Sequence, residues 1–386
     1  MHPKHSGSTG RKRFTWKKWL YLSIGSMAFV FIAMVLFIKL DTAAAANLTD
    51  QFLRPMIGDN QVISLEGVYF SLSDIINQIE YKFIKPGNSF IVSDSAAISA
   101  TSTAAQSSTL DLSPLSIASD SASAGEGVWR NIPLSLFPGR IVLADTFVNP
   151  DPARPYALVT LVQMDMSQLR LWSVAGKQEP GGKVGKPGPG VVPQSVQAAG
   201  TLVAAFDGGF QYRDGQYGMV VGSTTYLPLK NGLATLVGYK DGSLAIIKYD
   251  GQYLGNNVSF VRQNCPMLIE NGVVETQSNT NRQLWGRTIT SSVYTWRSGI
   301  GITAKGNLIF AVGNSLLPST LAAALASAGA VNAMQLDINP YWVRFNVFNN
   351  YHNGVYSHFT IMNGVFDGAY HYLHGYQKDF FYLVKK

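Results

Sequence analysis

The chain has 386 residues, 46% of them hydrophobic and 12% aromatic, enough for one large domain with a true core and accessory segments. Its formal charge of +7 is concentrated at one end. Lys4, Arg11, Lys12, Arg13, Lys17, Lys18 and Lys39 precede every acid, which leaves the rest of the chain formally neutral. A neutral remainder lacks the basic patch that a nucleic-acid partner requires, and the sole cysteine, Cys265, excludes an internal disulfide.

Residues 1–18 read as a basic cytoplasmic tail. Residues 19–40 form an apolar stretch whose one charge is Lys39, long enough to cross a hydrocarbon core of roughly 30 Å as a helix. The basic flank places the tail in the cytoplasm and everything after residue 40 outside, with Trp16, Trp19 and Tyr21 at an interfacial belt. A signal peptide cut near Ala43–Ala46 competes with this reading, but the apolar stretch is longer than a signal core and favours an uncleaved anchor. Residues 41–90 read as a juxtamembrane helical segment, amphipathic through Asp74, Ile75, Ile76, Ile79, Tyr81 and Phe83 after a cap region at Ser71–Ser73. Residues 91–126 are Ser/Ala-rich with few large apolar side chains, which predicts a mobile linker.

The folded domain is expected over 127–386. Ile141–Val148 and Tyr156–Met164 read as strands. The glycine- and proline-rich basic stretch 175–193 reads as a surface insertion, because no helix opening on Lys-Ser/Thr follows it as a phosphate loop would need. From Leu202 onward, Asp207-Gly208, Asn231-Gly232, Asp241-Gly242, Asn271-Gly272 and Lys305-Gly306 punctuate short apolar runs, a hairpin signal. One helix is predicted over 319–328, started by Pro318-Ser319-Thr320 and stopped by Gly329. A strand Val331–Leu336 follows, with Asp337 at its lip. The fold class is therefore α+β, a mostly antiparallel or mixed sheet with few helices, preceded by a single N-terminal transmembrane helix.

Asp207 and Asp337 each close an apolar run, where a strand can fix a carboxylate for chemistry; Asp337 could equally cap a turn through Asn339. Gly208 and Gly209 would let backbone N–H groups approach a ligand closely. The last 36 residues hold His352, His358, His371 and His374 among Tyr351, Tyr356, Tyr370, Tyr372 and Tyr376, a mixture that suits sugar faces. His371-x-x-His374 offers two metal ligands without a third, so no metal or other cofactor is expected. Cys265 before Pro266 reads as a packed thiol, and no Gly-x-Ser-x-Gly occurs.

Four segments together resemble the phosphodiester glycosidase family. Phe206-Asp207-Gly208-Gly209-Phe210 is similar to its Asn-Gly-Gly-Phe-Phe signature. The run from Arg262, Asn264 and Pro266 to Asn271-Gly272 resembles its strand and turn, and Trp296–Ile302 its Arg-Thr-Ala-Ile-Gly strand. The stretch Leu321–Asp337 matches its helix and Leu-Asp. Two departures stand out: Asp207 replaces the first Asn, and Ile338-Asn339-Pro340-Tyr341-Trp342 stands where the family carries Gly-Gly-Gly-Ser-Ser. The resemblance implies a hydrolase acting on sugar-1-phosphodiesters, here expected to sit on the outer membrane face and cleave sugar-phosphate linkages of a cell-envelope polymer. Arginines suit the phosphate and carboxylates the oxocarbenium-like carbon. Asp207, Asp337 and Arg297 are the expected catalytic residues; Gly208, Gly209, Arg262, Asn264, Asn339 and His352 are the expected substrate-binding ones, with Arg282 and Arg287 as further arginines. The alternative is a non-catalytic envelope module that binds glycan or a partner protein.

Overall fold

The computed structural model describes residues 48–84, 108–116, 123–182, 185–275, 285 and 294–386, together with Ser23, Gly25, Ser26 and Ala45. The expected membrane span of residues 19–40 lies outside these apart from three positions, and among the described residues no helix is long and apolar enough to cross a membrane. The chain divides into two units, Met1–Gly58 and Asp59–Lys386. In the first, a π-helical turn Thr49–Leu53 runs into a short helix Arg54–Ile57, which Gly58 ends at φ 84°.

The second unit opens with the helix Asp59–Ile84. The helix begins twelve residues before the expected cap: Ser71 lies inside it, its hydroxyl bonded back to Gly67 O at 2.9 Å. One helical face docks on the strands. Asp74 takes Tyr156 Oη at 2.9 Å and Arg154 Nε at 3.4 Å, and Asn77 donates to Ser315 Oγ at 3.2 Å. The expected linker is also partly anchored, because polar groups in it find buried partners. Thr109 Oγ1 donates to Asp165 at 2.7 Å, and Trp129 Nε1 to Ser113 O at 3.1 Å. Residues 91–107 and 117–122 of that linker lie outside the described residues.

Among the described residues eighteen strands build three sheets, and every strand pair is antiparallel. The eight-stranded sheet runs Arg130–Ile132, Leu143–Val148, Val159–Met164, Leu308–Leu316, Thr295–Thr303, Ala330–Ile338, Met267–Glu270, Val273–Val274. A five-stranded sheet orders Thr224–Leu227, Met219–Val221, Val258–Gln263, Ala234–Tyr239, Leu244–Lys248. The other five-stranded sheet orders Val355–Thr360, Phe345–His352, Leu202–Asp207, Phe380–Lys385, Leu169–Val174. All three share one apolar core. Phe206 stacks on Phe345 at 5.6 Å and meets Phe310 at 5.3 Å and Phe381 at 5.5 Å, with Phe260 and Leu236 in the same cluster.

The predicted helix is Pro318–Ser327. Thr320 Oγ1 accepts the Leu317 N–H at 2.8 Å, and Gly329 turns the chain at φ 86°. Its buried Leu321, Ala322, Ala324 and Leu325 cover the far face of the large sheet in a second cluster with Ala311, Ala333 and Cys265. Asp207-Gly208 is not a hairpin turn, because its strand pairs with Phe345–His352 and Phe380–Lys385 instead of with the strand that follows.

The glycine-rich stretch 175–193 packs instead of projecting, at least over its described residues. Lys177 N and Glu179 N donate to Tyr376 O and Gln377 O at 3.0 and 2.8 Å, and Tyr376 N donates to Gly190 O at 2.6 Å. Backbones lie so close that a Cβ on Gly176 would fall 2.3 Å from Gln377 O. The stretch fixes the segment leading into Lys378 and Asp379.

Candidate active site

Asp207 ends a fully buried strand, so its carboxylate is held at the edge of the phenylalanine core. Ser298, on the strand Thr295–Thr303 of another sheet, donates from Oγ to Asp207 Oδ2 at 2.5 Å and accepts the Asp337 N–H at 3.0 Å. The Arg344 N–H donates to Asp207 Oδ1 at 2.8 Å, and the Ile338 N–H to Asp337 Oδ1 at 2.9 Å. Lys378 Nζ closes the cluster on Asp337 Oδ2 and lies 4.6 Å from the Trp342 ring.

Strict alternation along Ala330–Ile338 would put Asp337 on the face of Gln335. Gln335 points to the helix side, toward Cys265 Sγ, and Ile338 packs in that helix-side cluster too. A register slip separates the pairs Arg297↔Ile338 and Gly299↔Gln335. This bulge places two residues between those same-face neighbours and turns Asp337 toward Ser298 and Lys378. The two expected acids are thereby brought together.

Burial pushes the Asp207 carboxyl up to about 8, aided by the Asp337 charge and opposed by the Arg344 N–H, the Ser298 hydroxyl and Lys378. Burial also raises Asp337, to about 6, against the pull of Lys378. Near neutral pH one carboxyl therefore keeps its proton and the other is ionised beside an ammonium.

The expected arginines stand elsewhere. Arg297 points to the opposite face from Ser298, where Nε donates to Leu316 O at 2.8 Å and Nη1 to Gln335 Oε1 at 2.9 Å; burial lowers it to about 10. Arg262 is fully buried in a bidentate pair with Asp379, Nε–Oδ2 2.8 Å and Nη2–Oδ1 3.0 Å. Its other bonds run to the carbonyls of Tyr217, Gln263 and Phe210. No donor of Arg262 is left for a phosphate, which corrects the sequence expectation.

Gly208 and Gly209 serve this same pair. Their N–H groups donate to Asp379 O at 3.2 Å and Asp379 Oδ2 at 3.1 Å. A Cβ on Gly208 would lie 2.1 Å from Asp379 Oδ2, and one on Gly209 2.7 Å from Arg262 Cζ. Asn264 ties the loop to the Asp337 strand, taking Phe210 N at 3.0 Å and giving Nδ2 to Gln335 O at 3.0 Å. Asn339 caps the turn itself, at φ 78° with Oδ1 on Tyr341 N at 2.9 Å, so the Asp337 carboxylate is spared that role.

His352 is exposed at the end of a hairpin opposite Val355, away from the acid cluster's partners. His358 pairs with Asp367 at 3.0 Å and His374 Nδ1 faces Tyr370 O at 3.0 Å, both on the surface. Arg282 and Arg287 lie outside the described residues. Among the described residues no three His, Cys, Asp or Glu side chains gather as a metal site.

Ser298, Arg344, Lys378 and Asp379 complete the site and were not singled out from sequence. Their signal is the one that marked the acids: Arg344 and the Lys378-Asp379 pair each abut an apolar run, where a charge stays only if it has work or a partner.

Residues 200–337, from the Asp207 strand through Asp337, match the family described as phosphodiester glycosidase. This stretch is therefore similar to the family that the four motifs resemble. No curated protein matches the chain. Among solved structures the chain is similar to the catalytic domain of zebrafish N-acetylglucosamine-1-phosphodiester alpha-N-acetylglucosaminidase, auto-inhibited by its pro-peptide. That match has 14% identity and TM-score 0.41, over 67% of this chain and 88% of that one. A hypothetical protein from Synechocystis is similar at 11% identity and TM-score 0.36, over 66% of this chain and 64% of that one.

Proposed function

We propose that the chain is a hydrolase anchored in the membrane by residues 19–40, with its domain outside, that cleaves sugar-phosphodiester linkages of cell-envelope glycans. The observation that carries this reading is the Asp207–Ser298–Asp337–Lys378 cluster inside the family-matched segment. Breaking a sugar C1–O bond puts positive charge on carbon and negative charge on the departing phosphate oxygen. Asp337, ionised beside Lys378, supplies the carboxylate that steadies the carbon or draws a proton from water. Asp207, protonated near neutral pH, supplies the proton for the leaving oxygen. Ser298 holds the two in register. The rings of Tyr341 and Trp342 lie over Arg344 and Lys378.

The burial of both acids, 2% and 3% exposed, favours a second reading, a non-catalytic module that binds glycan or a partner. The two separate on one experiment. The full-length chain is assayed on aryl and nucleotide sugar phosphodiesters beside Asp207→Asn, which removes a proton donor but no neutral-pH charge. Free sugar from the parent alone supports the hydrolase. Saturable glycan binding by both proteins, with no sugar released across the panel, supports the binder.

A further inference from the structure

Two buried cations near the acid cluster have carboxylate partners. Arg262 has Asp379, and Lys378 has Asp337. Arg344 is completely buried, and its Nε donates to Tyr341 O at 3.1 Å, yet Nη1 and Nη2 meet no hydrogen-bond partner among the described residues. Around its Cζ stand the rings of Phe366 at 4.5 Å, Tyr376 at 4.7 Å and Tyr341 at 5.0 Å. Ring faces offset the charge but accept nothing from the in-plane N–H bonds.

Two more orphans share the enclosure. The Tyr372 and Tyr376 hydroxyls are buried and equally without partners. The two rings sit edge to face at 5.9 Å. A Cβ on Gly368 would come to 2.9 Å from Arg344 Cδ and 3.0 Å from Tyr372 Cε2, so the glycine keeps room between them. A buried polar group without a partner costs roughly 1–3 kcal/mol, more when charged. Three such groups from two segments, gathered beside Asp207 through the Arg344 N–H, are poor as architecture. They make sense as donors awaiting one acceptor.

We propose that Arg344, Tyr372 and Tyr376 form a pocket for a phosphoryl group. A guanidinium edge offers parallel donors that suit two oxygens of such a group, and the hydroxyls can serve the remaining oxygens. The anion would also match the Arg344 charge, which faces no carboxylate among the described residues. The pocket rests on the hydrolase reading only in naming a sugar phosphodiester as the bearer of that group.

The test is thermal unfolding of the full-length chain in rising inorganic phosphate and methyl phosphate at constant ionic strength, with acetate in parallel. Tyr376→Phe and Tyr372→Phe keep the rings and delete only the hydroxyls. The pocket predicts a saturable rise in Tm with both phosphates and little with acetate. It predicts that each variant is as stable as the parent or more so without phosphate, and binds phosphate at least tenfold more weakly. Equal phosphate response in parent and variants overturns the proposal, as does no saturable response in the parent, or a variant destabilised without phosphate. Turnover without this phosphate response leaves the hydrolase reading standing and this pocket refuted; the response without turnover does the reverse.

Discussion

Substituting Asp379 tests whether Arg262 is scaffold or substrate contact. Both side chains are fully buried, and Asp379 also accepts the Gly209 N–H at 3.1 Å. Asp379→Leu strands an ionised guanidinium in the core, a loss of about 3–5 kcal/mol. The orphaned Gly209 N–H adds about 1 kcal/mol, against a total stability on the order of 5–15 kcal/mol. Arg262→Met leaves the carboxylate stranded and should cost a similar amount. The double variant buries no unpaired charge and loses only the bond to the Gly209 N–H and those to the carbonyls of Phe210, Tyr217 and Gln263. It should therefore be less destabilised than the sum of the singles by about 2–3 kcal/mol. Urea unfolding followed by tryptophan fluorescence reads all four proteins, provided the slopes agree. Additive losses, or singles below about 1 kcal/mol with impaired phosphate binding, would refute the scaffold role and return Arg262 to the substrate.

Asp207 and Asp337 are raised to about 8 and about 6, so the folded chain holds protons that the unfolded chain has already released. Their contribution is fully present below the ordinary aspartate range and is lost as pH rises through these values; Asp207→Asn should flatten the fall in unfolding free energy between about pH 4 and 8. A stability curve unchanged by that substitution would contradict the buried proton. Ser298→Ala removes a donor to Asp207 and the acceptor of the Asp337 N–H, which should cost roughly 1–3 kcal/mol and move the alkaline limb of the activity profile upward. A profile that stays in place would deny Ser298 its link. Gly209→Ala should abolish cooperative unfolding, since its Cβ meets Arg262 Cζ at 2.7 Å. Gly67→Ala, with nothing within 4 Å in the helix Asp59–Ile84, should instead gain about 0.4–1 kcal/mol; a loss there would show an unexpected neighbour.

Local chemistry was legible in the sequence wherever it decides structure alone. Pro318 with Thr320 and Gly329 bracket the helix within one residue, and Asn271-Gly272, with φ of 51° and 82°, forms the hairpin turn its dipeptide announces. Asp207 and Asp337 were legible because a charge beside an apolar run is costly unless used. What chain order hides is which strands meet. The strand of Asp207 lies between two strands from the last 42 residues, so its Asp-Gly pair could not act as a hairpin turn. Arg262 was assigned to phosphate because its partner, Asp379, lies 117 residues away. The bulge that turns Asp337 inward depends on cross-strand register, which alternation along one strand predicts with the wrong sign.

The arrangement of buried charge joins these findings. Asp379 neutralises Arg262 and secures the Gly208-Gly209 loop, so the strand end carrying Asp207 is rigid before any ligand arrives. Lys378, the residue before Asp379, neutralises Asp337 and leaves Asp207 as the acid that yields its charge by keeping a proton. A neutral, protonated Asp207 then adjoins, through the Arg344 N–H, a guanidinium whose Nη groups lack partners among the described residues. An anionic phosphodiester would pull the Asp207 proton tighter by bringing negative charge toward Arg344, while a sugar carbon turning positive would favour its release. Such a site discriminates between a bound phosphodiester and the developing transition state by electrostatics already built into the fold.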